Sequence, residues 1–175
     1  MGQSGQEFSI SLGSAAPRTT FRDLDGSPVT LATLLEGAAG LPLLLAFFKV
    51  SCPTCRLTWP YLEKLHLRYG GKAVRVVGVS QNDAAASRAY HAEFGRATFD
   101  LVLDLEPAFA ASNAYGVDAV PHLVLVSPES TVLRVSAGWA WKDMEELGRL
   151  LAVRTFIPPK PFFEAGDPVK DYQAG

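Results

Sequence analysis

An uninterrupted run of eight apolar residues, LPLLLAFF at positions 41–48, constrains the fold more than any other feature of this sequence. A run without polar alternation is typical of a strand that is covered on both faces, and this one is too short to span a bilayer. A second buried strand is predicted at 73–80, after a segment with helical periodicity. We therefore predict an α/β fold with a central mixed sheet flanked by helices.

Turn and breaker residues divide the rest of the chain into short elements. Asp25-Gly26 predicts the turn of an N-terminal hairpin, and Gly70-Gly71 ends a helix that begins at Pro53. The remaining predicted elements are helices at 83–95, 107–115 and 141–154 and strands at 98–104, 122–127 and 131–138. We predict one domain at 17–154, a flexible lead-in at 1–16, and a Pro-rich tail at 155–175 that is extended or disordered.

The overall charge and the first residues limit the function classes. The formal net charge is −2 and the pI about 5.9, which gives no reason to expect binding to nucleic acid or to an anionic membrane. The first ten residues lack the basic start and apolar stretch of a signal peptide. These features predict a cytoplasmic protein without a membrane span, and we expect a monomer.

The two cysteines of the chain lie in the tetrapeptide Cys52-Pro53-Thr54-Cys55, between a predicted strand and a predicted helix. A helix N-terminus offers unpaired N–H groups and the positive end of the dipole, which stabilise a thiolate at Cys52. Pro53 suits the first helical turn, because its missing N–H has no helical partner there. The spacing allows Cys55 to attack a mixed disulfide at Cys52, as thiol–disulfide exchange requires.

Other uses of two close cysteines fit the sequence less well. A zinc site needs further ligands, and the three histidines, His66, His91 and His122, show no paired spacing. A structural disulfide across so small a loop adds comparatively little stability. Inert core cysteines remain an alternative, although the intervening residues indicate a turn into a helix. We predict neither a metal nor an organic cofactor.

With these motifs the sequence resembles the thioredoxin-like proteins, and within them the TlpA/ResA-type thiol–disulfide oxidoreductases and their AhpC/TSA "redoxin" relatives. The resemblance covers about 17–152, including the N-terminal hairpin and a helix and strand inserted at about 81–115. It implies a bacterial protein of cell redox homeostasis with catalytic Cys52 and Cys55, supported by Pro53, Thr54 and the helix-kinking Pro60.

The resemblance also assigns the segment YGVDAVPHLVLV at 115–126. Val120-Pro121 matches the cis-proline that faces the cysteines in this family, and cis X–Pro bonds are a minority state in proteins. The backbone beside Pro121 would offer a strand-like edge to an incoming polypeptide, and Val120 would shape specificity. The substrate implied is a protein or small-molecule disulfide.

The sequence departs from the family pattern near the cysteines. Ser51 stands where relatives have tryptophan, and the proline has moved to the first intervening position. Ala46 and Thr58 occupy two positions where relatives keep a buried acid that accepts the proton of the resolving thiol. Water or Thr58 could take that role, or Lys49 or His122 could tune the thiols, so the direction of electron flow stays open.

Two further functions compete with that of a thiol–disulfide oxidoreductase. A peroxiredoxin-like peroxidase would form a sulfenic acid on one cysteine, but the PxxxTxxC pattern of that group fails in both alignments. When the pattern is aligned on Cys55, its proline and threonine positions are occupied by Phe48 and Cys52. When it is aligned on Cys52, they are occupied by Leu45 and Lys49. A redox-inactive thioredoxin-fold binding module is the other alternative, and it leaves the intact cysteine pair unexplained.

Overall fold

The structure is a computed structural model that describes residues 10–164, 166–167 and 171–175. It contains a seven-stranded mixed sheet with the strand order β2-β1-β5-β4-β3-β6-β7, and a separate two-stranded pair. The strands are β1 Thr20–Arg22, β2 Pro28–Thr30, β3 Leu43–Phe48, β4 Arg75–Ser80, β5 Asp100–Leu103, β6 His122–Val126, β7 Val132–Ala137, β8 Trp139–Ala140 and β9 Tyr172–Gln173. The helices are α1 Leu31–Gly37, α2 Pro53–Tyr69, α3 Ala84–Glu93, α4 Ala110–Ala114 and α5 Trp141–Thr155.

The predicted α/β architecture is confirmed, with β3 near the centre of the sheet. β3 runs parallel to β4 and antiparallel to β6, and β4 runs parallel to β5. Every residue of β3 is buried, as the unbroken apolar run predicts. The carboxyl end of β3 leads directly into the segment that carries the two cysteines.

Helix α2 follows β3 and carries the cysteines at its N-terminus. Cys52 is the N-cap and Pro53 the first helical residue, as predicted from the missing N–H of proline. The helix continues through Pro60 to Tyr69 and packs against β4, α5 and β8. Gly95 approaches this helix closely: a Cβ there would lie 2.8 Å from the Cα of Pro60, and its φ of +80° also favours glycine.

The segment expected as a flexible lead-in is packed where the structure describes it. Residues 1–9 lie outside the described residues, whereas Ile10 and Ala16 are buried. Gly13 N–H donates to Val132 O at 2.8 Å, and Val132 N–H donates to Ser14 O at 2.9 Å. Residues 13–16 therefore extend the sheet past β7, and the division of the chain into lead-in, domain and tail stays a prediction.

The chain after α5 returns across the helices and is held at residues 160–163, which we call the anchor. Phe162 is 2% exposed, and its ring lies 4.8 Å from the guanidinium of Arg68. Its N–H donates to a Glu145 carboxylate oxygen at 2.9 Å, and Arg68 donates to Lys160 O at 2.6 Å. A Cβ on Gly148 would collide with the Phe162 ring, so glycine at that position of α5 makes room for the ring.

None of the helices in the described part of the chain has both the length and the hydropathy needed to cross a membrane.

Candidate redox site

The loop between β3 and α2 presents the first cysteine at the edge of the sheet. Cys52 N–H donates to Lys49 O at 3.1 Å, which closes a turn after β3. The side chain of Asn82, just beyond β4, accepts a hydrogen bond from Val50 N–H at 3.0 Å and ties the loop to the neighbouring strand. The half-buried Cys52 is therefore held by both the turn and the sheet.

The Cys52 sulfur lies between two backbone groups. The N–H of Cys55 donates to Sγ at 3.1 Å, as expected of an N-cap side chain, and Sγ donates to the carbonyl oxygen of Val120 at 3.2 Å. A backbone donor and the helix N-terminus both favour negative charge on this sulfur. Cys52 is thus the accessible sulfur of the pair, and it contacts the Val120 carbonyl as a thiol.

Cys55 lies one helical turn further on in a different environment. Its side chain is fully buried, and both cysteines are free thiols in this structure. Burial raises the pKa of the Cys55 thiol far above its usual range, and the hydrogen bond with Cys52 raises it further. Cys55 is therefore protonated and shielded until Cys52 has reacted.

Neither Ala46 nor Thr58, the two positions where relatives keep a buried acid, provides a carboxylate near Cys55. Ala46 is fully buried in β3, and the Thr58 hydroxyl donates to Thr54 O at 2.8 Å. The Thr58 proton is thus already used within the helix. Lys49 is exposed to solvent beyond the end of β3.

His122 begins β6 directly after the proline and is 2% exposed. Its ring meets that of Phe47 edge-on, with centroids 6.2 Å apart. Burial lowers the pKa of His122 to about 4, although the charge of Asp118 opposes this shift. The imidazole is therefore neutral near pH 7 and brings no positive charge to the thiols.

The loop opposite the cysteines has the predicted backbone geometry. The Val120-Pro121 bond is cis, and so is Glu106-Pro107, which was not predicted. Gly138 N–H donates to Pro121 O at 2.8 Å, which joins this loop to the end of β7. The loop thus faces Cys52 directly, through the Val120 carbonyl that accepts the Cys52 hydrogen bond.

A third segment lies at this site and was not predicted: residues 171–175, which we call the tip. β9 pairs antiparallel with β8, and the Thr54 hydroxyl donates to Ala174 O at 2.6 Å. The Gln173 side-chain amide donates to the Thr54 oxygen at 2.7 Å. Residues 171–175 read Asp-Tyr-Gln-Ala-Gly, a sequence without the alternation or β-branched residues that would predict a strand.

A broad cavity of about 770 Å³ lies away from these residues, between the N-terminal hairpin, α3 and β5. Two ion pairs line it, with Arg75 2.7 Å from Asp100 and Arg88 3.3 Å from Asp25. None of the residues that line it belongs to the cysteine segment or to the Val120-Pro121 loop.

In the described part of the chain, no three His, Cys, Asp or Glu side chains lie close enough together to hold a metal ion.

Comparison with known proteins agrees with this geometry. The sequence matches the AhpC/TSA family over residues 12–135. It is 28% identical over 137 residues to the thiol-disulfide oxidoreductase ResA of Bacillus subtilis, covering 78% of this chain and 73% of that protein. The thioredoxin domain of a thiol-disulfide oxidoreductase from Bacteroides vulgatus superposes with a TM-score of 0.67 at 26% identity, covering 81% of this chain and 98% of that one.

The predicted cytoplasmic location is wrong. The ResA and DsbE-like relatives are extracytoplasmic thiol–disulfide oxidoreductases. A secreted disulfide oxidoreductase of Mycobacterium tuberculosis has the same fold, with a TM-score of 0.59 at 22% identity over 78% of this chain and 96% of that one. The prediction rested on the composition of the first ten residues, which is a weaker guide to the compartment than the family.

The match spans most of the chain and includes the cysteine segment, the strands on either side of it and the Val120-Pro121 loop. It also agrees with the predicted TlpA/ResA type and with a thioredoxin-like fold. The chain belongs to the AhpC/TSA family.

Proposed function

We propose that this protein is a thiol–disulfide oxidoreductase in which Cys52 attacks and Cys55 resolves. One observation carries the proposal: the half-exposed Cys52 sulfur lies between the Cys55 N–H and the Val120 carbonyl, one turn before a buried second thiol. The named relatives support the reaction class. The observed geometry favours neither a peroxidase nor a redox-inactive binding module.

In the reducing direction, the Cys52 thiolate attacks one sulfur of a disulfide. The partner's S–S bond breaks, a mixed disulfide forms at Cys52, and the first partner sulfur leaves as a thiolate that takes up a proton. Cys55 then loses its proton and attacks the Cys52 sulfur, which releases the second partner thiol. Two electrons and two protons pass to the partner, and the reverse sequence oxidises a dithiol.

The partner would dock beside Val120 and Pro121. The Val120 carbonyl already contacts the Cys52 sulfur, so a backbone bound along this loop brings its own sulfur within reach. Pro53 and Thr54 start the helix that positions the thiols, and Pro60 lies within the same helix. We infer that the partner is a disulfide or dithiol, either of a protein or of a small molecule. We also infer that the oxidoreductase itself acts as a monomer, and a molar-mass measurement in solution would check this.

Deprotonation of Cys55 limits the second step in this scheme. Its thiol is buried, Ala46 and Thr58 offer no carboxylate, and the Thr58 hydroxyl donates its proton elsewhere. We infer that the proton passes to water that enters once the mixed disulfide has formed. The rate of resolution should then follow pH directly, without a plateau set by a nearby acid.

Trapping of the mixed disulfide tests the proposal. Cys55→Ser should accumulate a covalent adduct at Cys52 with a disulfide-containing peptide, as seen by mass spectrometry, whereas the wild type should release both products. Cys52→Ser is the matched control and should form no adduct. An adduct confined to Cys55, or hydrogen peroxide consumption that exceeds disulfide reduction, would contradict the assignment.

A further inference from the structure

The tip covers the same edge of the molecule on which a partner would dock. Its strand β9 pairs with β8, with Gln173 opposite Trp139 and Tyr172 opposite Ala140. A Cβ on Gly138 would lie 2.8 Å from Gln173 O, so glycine allows the tip to approach the turn before β8. The tip is thus held as an added strand, which is how extended peptides bind to sheet edges.

The tip also contacts the cysteine segment. The Thr54 hydroxyl donates to Ala174 O at 2.6 Å and accepts from the Gln173 side-chain amide at 2.7 Å. Thr54 lies between the two cysteines, and with these two contacts its side chain is only 3% exposed. The residue that separates the thiols is therefore bound to the tip.

The last contact is with the proline loop. A Cβ on Gly175 would collide with Val120 O and would lie 2.8 Å from Val120 C and 2.9 Å from Val120 N. Gly175 is therefore packed directly on the backbone whose carbonyl accepts the Cys52 hydrogen bond. A side chain at position 175 cannot be accommodated without moving one of the two segments.

We propose that the tip is a built-in competitor that binds in the place of the partner polypeptide and must leave before the partner's sulfur can approach Cys52. This inference rests on the proposed function and adds its regulation. An extended chain offering a carbonyl to Thr54 and a small residue to Val120 reproduces the contacts of the tip. Such a polypeptide is the partner that would displace it.

The contacts of the tip suit a reversible occupant. Tyr172 is 58% exposed, and residues 174 and 175 are also exposed, so little apolar surface holds the tip in place. The anchor differs, because Phe162 is almost fully buried. The Trp141 indole N–H donates to an Asp171 carboxylate oxygen at 3.1 Å, which marks where the tip begins. Release of the tip therefore leaves the anchor in place.

The test compares a peptide substrate with a small one. Deletion of residues 171–175 and, in the full chain, Gly175→Leu should each accelerate reaction of Cys52 with an extended peptide disulfide by about tenfold, as expected if the tip occupies the site nine-tenths of the time. Reaction with 5,5′-dithiobis(2-nitrobenzoate), which needs no extended docking edge, should change less than about twofold. Tyr172→Phe is the matched control: Tyr172 is largely exposed, so loss of its hydroxyl should leave the contacts of the tip intact.

The outcomes separate the two proposals. Unchanged peptide rates, or equal acceleration of both substrates, would overturn competition by the tip. No reaction with either substrate in any variant would instead contradict the proposed function.

In that case an NMR titration still tests the tip. A synthetic peptide of residues 167–175, added to the deletion variant, should shift the Thr54, Val120 and Trp139 amide signals. The same peptide with Gly175→Leu should not shift them. Absence of shifts with the native peptide would also overturn the inference.

Discussion

Cys52 and Cys55 are separated by two residues and occupy opposite environments. Cys52 is half-exposed, caps a helix and contacts the backbone of a distant loop, whereas Cys55 is fully buried, with a raised pKa. The difference arises because the N-cap lies outside the helix and the third helical residue already faces the core. It teaches that one helical turn is enough to separate an attacking thiol from a protected one.

The largest expected effect is the selectivity of alkylation. In the reduced protein at pH 7.5, iodoacetamide should modify Cys52 at least about a hundredfold faster than Cys55, because burial raises the pKa of the Cys55 thiol far above its usual range and also limits access to it. Peptide mapping after partial alkylation measures the ratio. In urea the two rates should converge, and similar rates in the folded protein would remove the contrast between the two thiols.

The second effect concerns the pH dependence of resolution. Reaction with 5,5′-dithiobis(2-nitrobenzoate) should release one chromophore when Cys52 attacks and a second when Cys55 resolves. Because burial raises the pKa of Cys55, the second rate should increase about tenfold per pH unit from about pH 6 to about pH 9. Stopped-flow absorbance measures both phases. A plateau near neutral pH would reveal a proton acceptor that the proposed scheme lacks.

The third effect is on the stability of the reduced protein in alkali. The pKa of Cys55 in the folded protein lies above its unfolded value of about 8.5. The buried thiol therefore makes its full contribution to the free energy of unfolding below that pH, and this contribution is lost as the pH rises toward the folded pKa. The free energy of unfolding should fall by at most about 1.4 kcal/mol per pH unit between about pH 8.5 and about pH 10. Above that range Tyr90 and Tyr115, whose pKa values burial also raises, contribute in the same direction.

Urea unfolding under a phosphine reductant measures this slope. Cys55→Ala should flatten it between pH 8.5 and pH 10, because it removes the buried thiol, whereas Cys52→Ala retains it. Equal slopes in the two variants would show that burial of Cys55 does not control the alkaline behaviour.

The smallest effect is expected from Thr58→Val. The substitution removes a hydroxyl that donates to Thr54 O, at a cost of about 1 kcal/mol or less in the free energy of unfolding. The second chromophore release should keep its rate, because the Thr58 proton is used within the helix. A clear slowing of that phase alone would identify Thr58 as a proton relay.

The parts of the site that depend on neighbouring residues could be predicted from the sequence. The apolar run before Cys52 predicts a buried strand, and Pro53 and the spacing to Cys55 predict a helix start with an N-cap sulfur. The cis geometry at Val120-Pro121 came from the family resemblance rather than from local patterns.

The contacts between distant segments could not be predicted. Thr54 and Ala174 are 120 positions apart, and nothing in the composition of the tail indicates which surface it covers. Gly13 and Ser14 likewise pair with Val132 at the start of β7, more than a hundred positions later in the chain. Short polar and small residues can pair with many sheet edges, so their partner is decided only when the whole fold has formed.

The pairing of β9 with β8 has a consequence for the concentration dependence of the reaction. Seven residues separate Phe163 in the anchor from Asp171 in the tip, so the tip is tethered beside the site it covers. A short tether gives a local concentration in the millimolar range that does not change when the protein is diluted. A partner that meets this protein at micromolar levels must therefore bind about a thousandfold more tightly than the free tip sequence to take its place.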